Sequence, residues 1–273
     1  MSHSKELSDI SKPIVLVGAG KMGSAMLQGW LARGLDPSET IVLEPQPADD
    51  IKALKIAINP ADKPAEAGAI IIAVKPQVAG DVVPPLKAMT GASTVVVSIM
   101  AGKTLPFLER ALPNAAIVRA MPNTPAAIGR GITVAVPNAR VSAAQRDLAH
   151  RLLAATGTVE WIADEKLMDA VTALSGSGPA YVFLLAESLT KAGVAAGLPP
   201  ELAAKLARDT VAGSGELLHR SPLDPAVLRQ NVTSPGGTTA AALEVLMAAA
   251  DGFDPLLAKA IAAAAKRSRE LAG

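Results

Sequence analysis

Short apolar runs alternate with amphipathic stretches over residues 13–160. The runs Ile14–Val17, Thr40–Leu43, Ala69–Val74, Thr94–Ile99, Ala115–Arg119 and Ile132–Val136 predict strands. Several are unbroken and rich in Ile and Val, the pattern of strands buried on both faces of a parallel sheet. The stretches Met22–Arg33 and Gln77–Met89 between them predict helices. This β-α-β rhythm predicts a doubly wound α/β domain.

The pattern changes near residue 164, after which the strand signal stops. Asp164 reads as an N-cap, with Glu165 in the first turn of a helix from about Lys166 to Gly176. Pro179 fits the first position of a helix running to about Ala196, with Gly197 as its stop. Another helix runs from about Pro200 to Leu218, and two more follow Gly237 and Gly252. The expected division is an α/β domain over 1–164 and an all-α domain over 165–273. The Ala and Gly residues of the second part permit close helix packing, either as a self-association surface or within one chain.

Composition narrows the classes. The chain has 273 residues, 50% of them hydrophobic and 2% aromatic, so its core is aliphatic. A chain of this length buries roughly 70–75% of its unfolded surface and needs no covalent staple. The net charge of +1 gives no broad footprint for nucleic acid or an anionic membrane. The absence of Cys excludes disulfides, thiolate zinc sites and a Cys nucleophile. The opening MSHSKELSDI lacks the apolar core of a secretory signal, and no apolar run approaches membrane-spanning length. The expectation is a cytoplasmic protein that engages neither membrane nor nucleic acid. His3, His150 and His219 are dispersed and offer no metal-ligand spacing; His219 reads as a partner for a helix C-terminus. Lys266-Arg267-Ser268-Arg269 reads as a solvated helix end, and Trp161 and Tyr181 as core or domain-junction residues.

Two motifs carry chemistry. The first, Gly18-Ala19-Gly20-Lys21-Met22-Gly23, fits GxGxxG between a strand and a helix, the context of a dinucleotide fingerprint. Gly18 makes the tight turn, Gly20 lets the backbone approach a pyrophosphate, and Gly23 lets helix and strand pack. The helix start supplies free N–H groups for the phosphates. Lys21, Met22 and Asn59 join these glycines as expected cofactor contacts. An acidic residue about 20 positions on holds the ribose 2′-hydroxyl in NAD-binding proteins. Glu44 ends the second predicted strand close to that distance, and no cation follows until Lys52. This favours NADH over NADPH, although a solvated strand-end Glu explains the residue nearly as well. Ala73, Val74, Lys75 and Pro76 end another strand, and so do Met121 and Asn123 in Met121-Pro122-Asn123-Thr124-Pro125. Both loops belong at the strand ends where cofactors bind, with Asn123 a candidate for nicotinamide or substrate and a stiff turn the plainer alternative.

The second motif is Ser234-Pro235-Gly236-Gly237-Thr238-Thr239, ahead of a helix expected over Ala240–Ala249. Its glycines let backbone N–H groups turn inward, and its hydroxyls add donors, which suits one small anion such as a carboxylate. A capped helix entrance is the plainer reading, but the four hydroxyl residues around Pro-Gly-Gly, Thr233 and Ser234 before it and Thr238 and Thr239 after it, exceed what a cap needs. Ser175-Gly176-Ser177-Gly178-Pro179 breaks two helices with residues small enough for a close-packed ligand or helix.

Taken together, GAGKMGSAM (18–26), AVKPQ (73–77), MPNTP (121–125), DAVTALSGSGPAYVF (169–183) and NVTSPGGTTAAAL (231–243) resemble the pyrroline-5-carboxylate reductase family. The resemblance spans nearly the whole chain, and SGSGPAY and VTSPGGTT are its specific parts. It implies a Rossmann domain followed by a helical dimerisation domain, with dimers that assemble into decamers in the family. It implies NADPH or NADH as cofactor and reduction of 1-pyrroline-5-carboxylate, a cyclic imine bearing a carboxylate, to proline. It implies that Ser175, Ser234, Gly236, Gly237, Thr238 and Thr239 bind substrate, in a site completed by the partner subunit. Thr239 matches the family's candidate donor to the ring nitrogen, the one expected catalytic side chain. Two departures stand out: Met247, where the family usually has an acid or amide, and Glu44, where small hydroxyl residues or proline are common. Two other classes fit less well. β-Hydroxyacid dehydrogenases share the GxGxMG turn but use a Lys on the first long helix of the second domain, where this chain has none before Lys191. A non-catalytic nucleotide sensor has no need of the SPGGTT cradle.

Overall fold

β-Branched runs with no polar interruption form the centre of one sheet. The structure, a computed structural model, describes residues 6–272, apart from the side chain of Ala272, so His3 lies outside the described residues. Strands β1 (Ile14–Val17), β2 (Thr40–Leu43), β3 (Ala57–Ile58), β4 (Ala69–Ile72), β5 (Val95–Ser98), β6 (Ala116–Met121), β7 (Gly131–Pro137) and β8 (Gly157–Trp161) line up in the order 3-2-1-4-5-6-7-8. The first six follow the doubly wound order, with its switch point between β1 and β4. The side chains of β1 and β4 are buried on both faces, which is why those runs show no alternation.

Helices fill the connections: α1 (Lys21–Ala32), α2 (Asp49–Lys52), α3 (Ala79–Val82), α4 (Leu105–Ala111) and α5 (Ala143–Ala154). On one face Trp30 is fully buried among Leu16, Leu27, Ile71 and Leu153, and its indole N–H donates to the Leu152 carbonyl at 2.8 Å. On the other, Val15, Ile70 and Val96 pack with Leu86 and Leu108.

The structure departs from the sequence expectations in several places. The strand expected over 69–74 ends at Ile72, which frees Ala73 to Pro76 as a loop. The helix expected over 77–89 breaks into α3 and a 3-10 segment, Pro84–Met89, because Pro84 and Pro85 cannot donate to a continuing helix. The sheet is not wholly parallel, since β7 runs antiparallel to β6. Nine residues join these two strands, too short a path for a parallel crossover. Strands β3 and β8 were not anticipated.

The helix expected from Lys166 to Gly176 is three pieces: a 3-10 turn (Glu165–Leu167), α6 (Met168–Val171) and a π-helical turn (Thr172–Gly176). Asp164 caps the first piece, accepting from the Lys166 N–H at 2.9 Å. Glu165 does more than occupy a first turn. Its Oε1 accepts from the buried Arg119 guanidinium at 2.7 Å and from the Leu105 N–H at 2.8 Å, joining β6, α4 and this segment.

The remaining helices are α7 (Gly178–Ala195), α8 (Pro200–Arg220), α9 (Pro225–Asn231), α10 (Thr238–Leu246) and α11 (Phe253–Ala272). Gly197 ends α7 at φ +99°, as expected of a left-handed stop. His219 lies in the last turn of α8. α9 was not anticipated, and α10 is shifted from its expected span. The chain divides into two compact units, residues 1–176 with 265–273, and residues 177–264. The division falls later in the chain than the change of pattern at residue 164. The end of α11 belongs to the first unit, where Ser268 is buried and donates to Asp169 at 2.6 Å, so the basic run is not simply a solvated end. Within the second unit α7 packs on α8, and a Cβ on Gly193 would lie 3.2 Å from the Ala203 Cβ. No helix among the described residues is long and apolar enough to cross a membrane.

Candidate active site

The Gly-rich turn sits where its chemistry requires, at the carboxyl end of β1 and the start of α1. Gly18 has φ +92°, and a Cβ there would lie 2.8 Å from Val74 and 2.9 Å from the Ala73 backbone. Conformation and space therefore both demand glycine. A Cβ on Gly23 would lie 2.3 Å from the Gly18 carbonyl, so the third glycine serves strand–helix contact. Gly20 differs from both: a Cβ there would meet nothing within 4 Å. The protein does not use the space above Gly20, as expected of a backbone site kept open for a ligand.

Gly20 is also the N-cap of α1, with no side chain capping the helix and no acid in the first turn. The helix therefore presents unsatisfied N–H groups and the positive end of its dipole at that open space. A crevice of about 300 Å³ lies there, lined by Gly20, Lys21 and Met22, by Ala73, Val74, Lys75 and Pro76, and by Ile99, Met100, Ala101 and Pro122. It spans the switch point beyond the ends of β1 and β4, the general location of ligands in open α/β sheets. These features fit a dinucleotide. Pro122 belongs to the Met121–Pro125 loop expected there, whereas Ile99, Met100 and Ala101 were missed in the sequence, where apolar strand ends carry no chemical mark. The rule that placed Ala73 to Pro76 also applied to the end of β5.

Glu44, at the end of β2, accepts from the Ala19 N–H at 2.9 Å through Oε2 and from the Gln46 N–H at 3.0 Å through Oε1. Asn59 brackets the same residue, accepting from the Glu44 N–H at 2.9 Å and donating to its carbonyl at 2.7 Å. Asn59 thus sits with the expected cofactor residues by holding Glu44. Met121 packs against Gly176, where a Cβ would come within 2.5 Å of the methionine methyl. Asn123 accepts from the Ile132 N–H at 3.0 Å and donates to the Ser175 hydroxyl at 3.4 Å. Two candidate residues are thereby brought together, with Ser175 carried on the π-helical turn. Such turns recur at functional sites because the extra residue re-aims side chains.

In the second unit the cradle stands as its own feature. Gly236 has φ +68°, and the Gly237 N–H donates to the Ser234 carbonyl at 3.0 Å, closing a turn that ends at the start of α10. Gly237 is the N-cap, and no side chain caps the helix. The capped-entrance reading fails on that point, since neither Ser234 nor either Thr serves as the cap. Thr238 and Thr239 are the first two residues of α10 rather than preceding it, so their N–H groups are among those a helix leaves unsatisfied. Ser234, Gly236 and Thr238 are exposed, while Gly237 and Thr239 are half-buried. The geometry suits a carboxylate. At Met247, where the resemblance predicted an acid or amide, the sulfur accepts from Arg229 at 2.8 Å.

Residues 165–271 match the family described as pyrroline-5-carboxylate reductase dimerisation, and residues 13–102 match the family NADP oxidoreductase coenzyme F420-dependent. The chain is 39% identical to pyrroline-5-carboxylate reductase of Pseudomonas aeruginosa, over 95% of this chain and 96% of that one. A solved pyrroline-5-carboxylate reductase from Coxiella burnetii superposes with TM-score 0.88 at 34% identity, covering 97% of this chain and all of that one. The Plasmodium falciparum pyrroline carboxylate reductase, solved with NADP bound, superposes with TM-score 0.79 at 30% identity, covering 96% of this chain and 99% of that one. The chain belongs to the pyrroline-5-carboxylate reductase family.

Proposed function

We propose that the protein reduces 1-pyrroline-5-carboxylate to proline with NADPH or NADH. Family membership supplies the substrate class, and the observation that carries the reading is the uncapped, glycine-turned start of α10 with its Thr pair. A Rossmann crevice alone serves many dehydrogenases. A second site shaped for one small carboxylate matches this substrate.

When bound, the reduced nicotinamide supplies the hydride that the imine carbon accepts. The chain's own residues hold and exclude. The crevice around Gly20 holds the dinucleotide by backbone N–H groups and the α1 dipole. The backbone at Gly236, Gly237, Thr238 and Thr239, with the Ser234 hydroxyl, holds the substrate carboxylate and so fixes the ring. An imine nitrogen is basic enough to carry a proton without a strong enzyme acid, so catalysis rests on orientation and exclusion of water. The Thr239 hydroxyl is assigned to the ring nitrogen as an orienting donor or proton relay, and Ser175 to substrate through its tie to Asn123. Substrate binding and dimerisation are assigned to the region 165–273, which includes the second unit, with the homodimer as the unit and a decamer of five dimers as the proposed assembly. The proposed location is the cytoplasm.

Steady-state kinetics with pyrroline-5-carboxylate tests the reading. Wild-type protein oxidises the cofactor rapidly. Thr239→Ala lowers kcat about tenfold, the worth of one hydrogen bond made in the transition state, and Thr239→Ser restores it. Wild-type kinetics in Thr239→Ala would remove that residue from the mechanism. Cofactor that binds but is not oxidised would remove the reaction.

A further inference from the structure

We propose that Glu44 makes this chain prefer NADH to NADPH, an inference that rests on the proposed function only for the class of ligand in the crevice. In the sequence, a solvated strand-end acid explains Glu44 nearly as well. The structure excludes that reading. Its carboxylate accepts from two backbone N–H groups, Ala19 at 2.9 Å and Gln46 at 3.0 Å, and its main chain is bracketed by both polar atoms of the Asn59 side chain. Asn59 in turn sits at φ 46° with its own N–H on the Val42 carbonyl at 2.9 Å. The left-handed conformation suits Asn better than most residues. The acid is fixed from four directions.

Its position matters because Ala19 lies between Gly18 and Gly20, inside the turn that faces the pyrophosphate. The adenosine ribose of a dinucleotide falls beside that turn, at the end of β2. A carboxylate has about four acceptor positions, and two here are occupied by backbone N–H groups. The remaining two suit the vicinal hydroxyls of an unphosphorylated ribose. A 2′-phosphate offers no hydrogen to them and brings nearly two negative charges at neutral pH. For Glu44 to swing aside, it would have to abandon both N–H groups.

The segment that follows Glu44 gives the phosphate no cation. Pro45, Gln46, Pro47 and Ala48 carry no cation. Two more acids follow, Asp49 and Asp50, and the ammonium of Lys52 is paired with Asp49 at 2.8 Å. Like charges brought together without a counter-ion disfavour a partner strongly, and the fixed carboxylate makes that penalty unavoidable.

Calorimetric titration of the full chain, without substrate, tests the proposal with NADH and NADPH as ligands and a Glu44→Gln variant as control. The amide keeps an acceptor for the Ala19 N–H and removes the charge. Wild type should bind NADH about tenfold or more tighter than NADPH, a gap that narrows as salt is raised. Glu44→Gln should close most of the gap by tightening NADPH. Equal or tighter binding of NADPH by wild type overturns the proposal. So does a variant that loses both ligands in parallel, because Glu44 would then only brace the turn. Should the variant fail to fold, the wild-type ratio and its salt dependence still decide. Turnover is read separately: preferential NADH binding without reduction of pyrroline-5-carboxylate would fault the assigned reaction and leave the preference standing.

Discussion

The two units of the chain solve the burial problem in opposite ways. In the first, Ile14, Leu16, Ile70, Ile71, Val96 and Val97 are wholly withdrawn from solvent by helices of the same unit. In the second, the buried hydrophobic residues are Ala203 and Ala207. Its larger side chains lie at the surface, with Phe183 62% exposed, Leu184 56% and Leu206 48%. Large apolar side chains left exposed in such number point to an interaction surface. The first unit is stabilised by its own chain, and the second by what covers it. The match of residues 165–271 to a dimerisation family supports a second copy as that cover.

This contrast yields graded predictions. The largest effect should come from charging the open face. Phe183→Asp with Leu206→Asp should dissociate the oligomer in light scattering and abolish turnover, while calorimetry still finds a bound dinucleotide. If the doubly charged protein remains dimeric, the face is not the interface. Next is a cavity in the closed core. Ile71→Ala should lower unfolding free energy by about 2–5 kcal/mol in denaturant titration and leave the oligomer intact. A smaller loss would mean that the first unit also depends on its partner. Third is Gly20→Ala, which should keep wild-type stability, since a Cβ there meets no protein atom. It should weaken dinucleotide binding about tenfold by obstructing the approach to the pyrophosphate. Unchanged affinity would move the ligand off the turn. The smallest effect is Gly236→Ala, at φ +68°. It should cost about 1 kcal/mol or less in stability and raise the KM for substrate more than it lowers kcat.

Legibility in the sequence also differed between the units. The Gly18–Gly23 turn was readable because its requirements are local: a positive φ, an open approach and a close helix–strand contact each demand glycine at a fixed offset. In the second unit α7 was readable from Pro179 and Gly197 at its ends, while α9, seven residues long, was not. Other features depend on distant groups. Glu165 receives Arg119 from β6 and Leu105 from the start of α4, and nothing adjacent to it in sequence announces either. The π-helical turn at Thr172–Gly176 gives no periodic signal over so short a span. Glu44 was found by spacing, but its carboxylate is fixed by the Ala19 and Gln46 N–H groups and its main chain by Asn59, fifteen residues on. Met100 and Ala101 line the crevice by position alone.

The proposed reaction is hydride transfer to a cyclic imine. Its most direct test is to incubate the protein with pyrroline-5-carboxylate and cofactor deuterated at the transferable nicotinamide carbon, then examine the product by mass spectrometry and NMR. The expected product is proline carrying one deuterium on the ring carbon that was the imine carbon, and none on the carbon bearing the carboxylate. Absence of proline, or proline without that label, would contradict it.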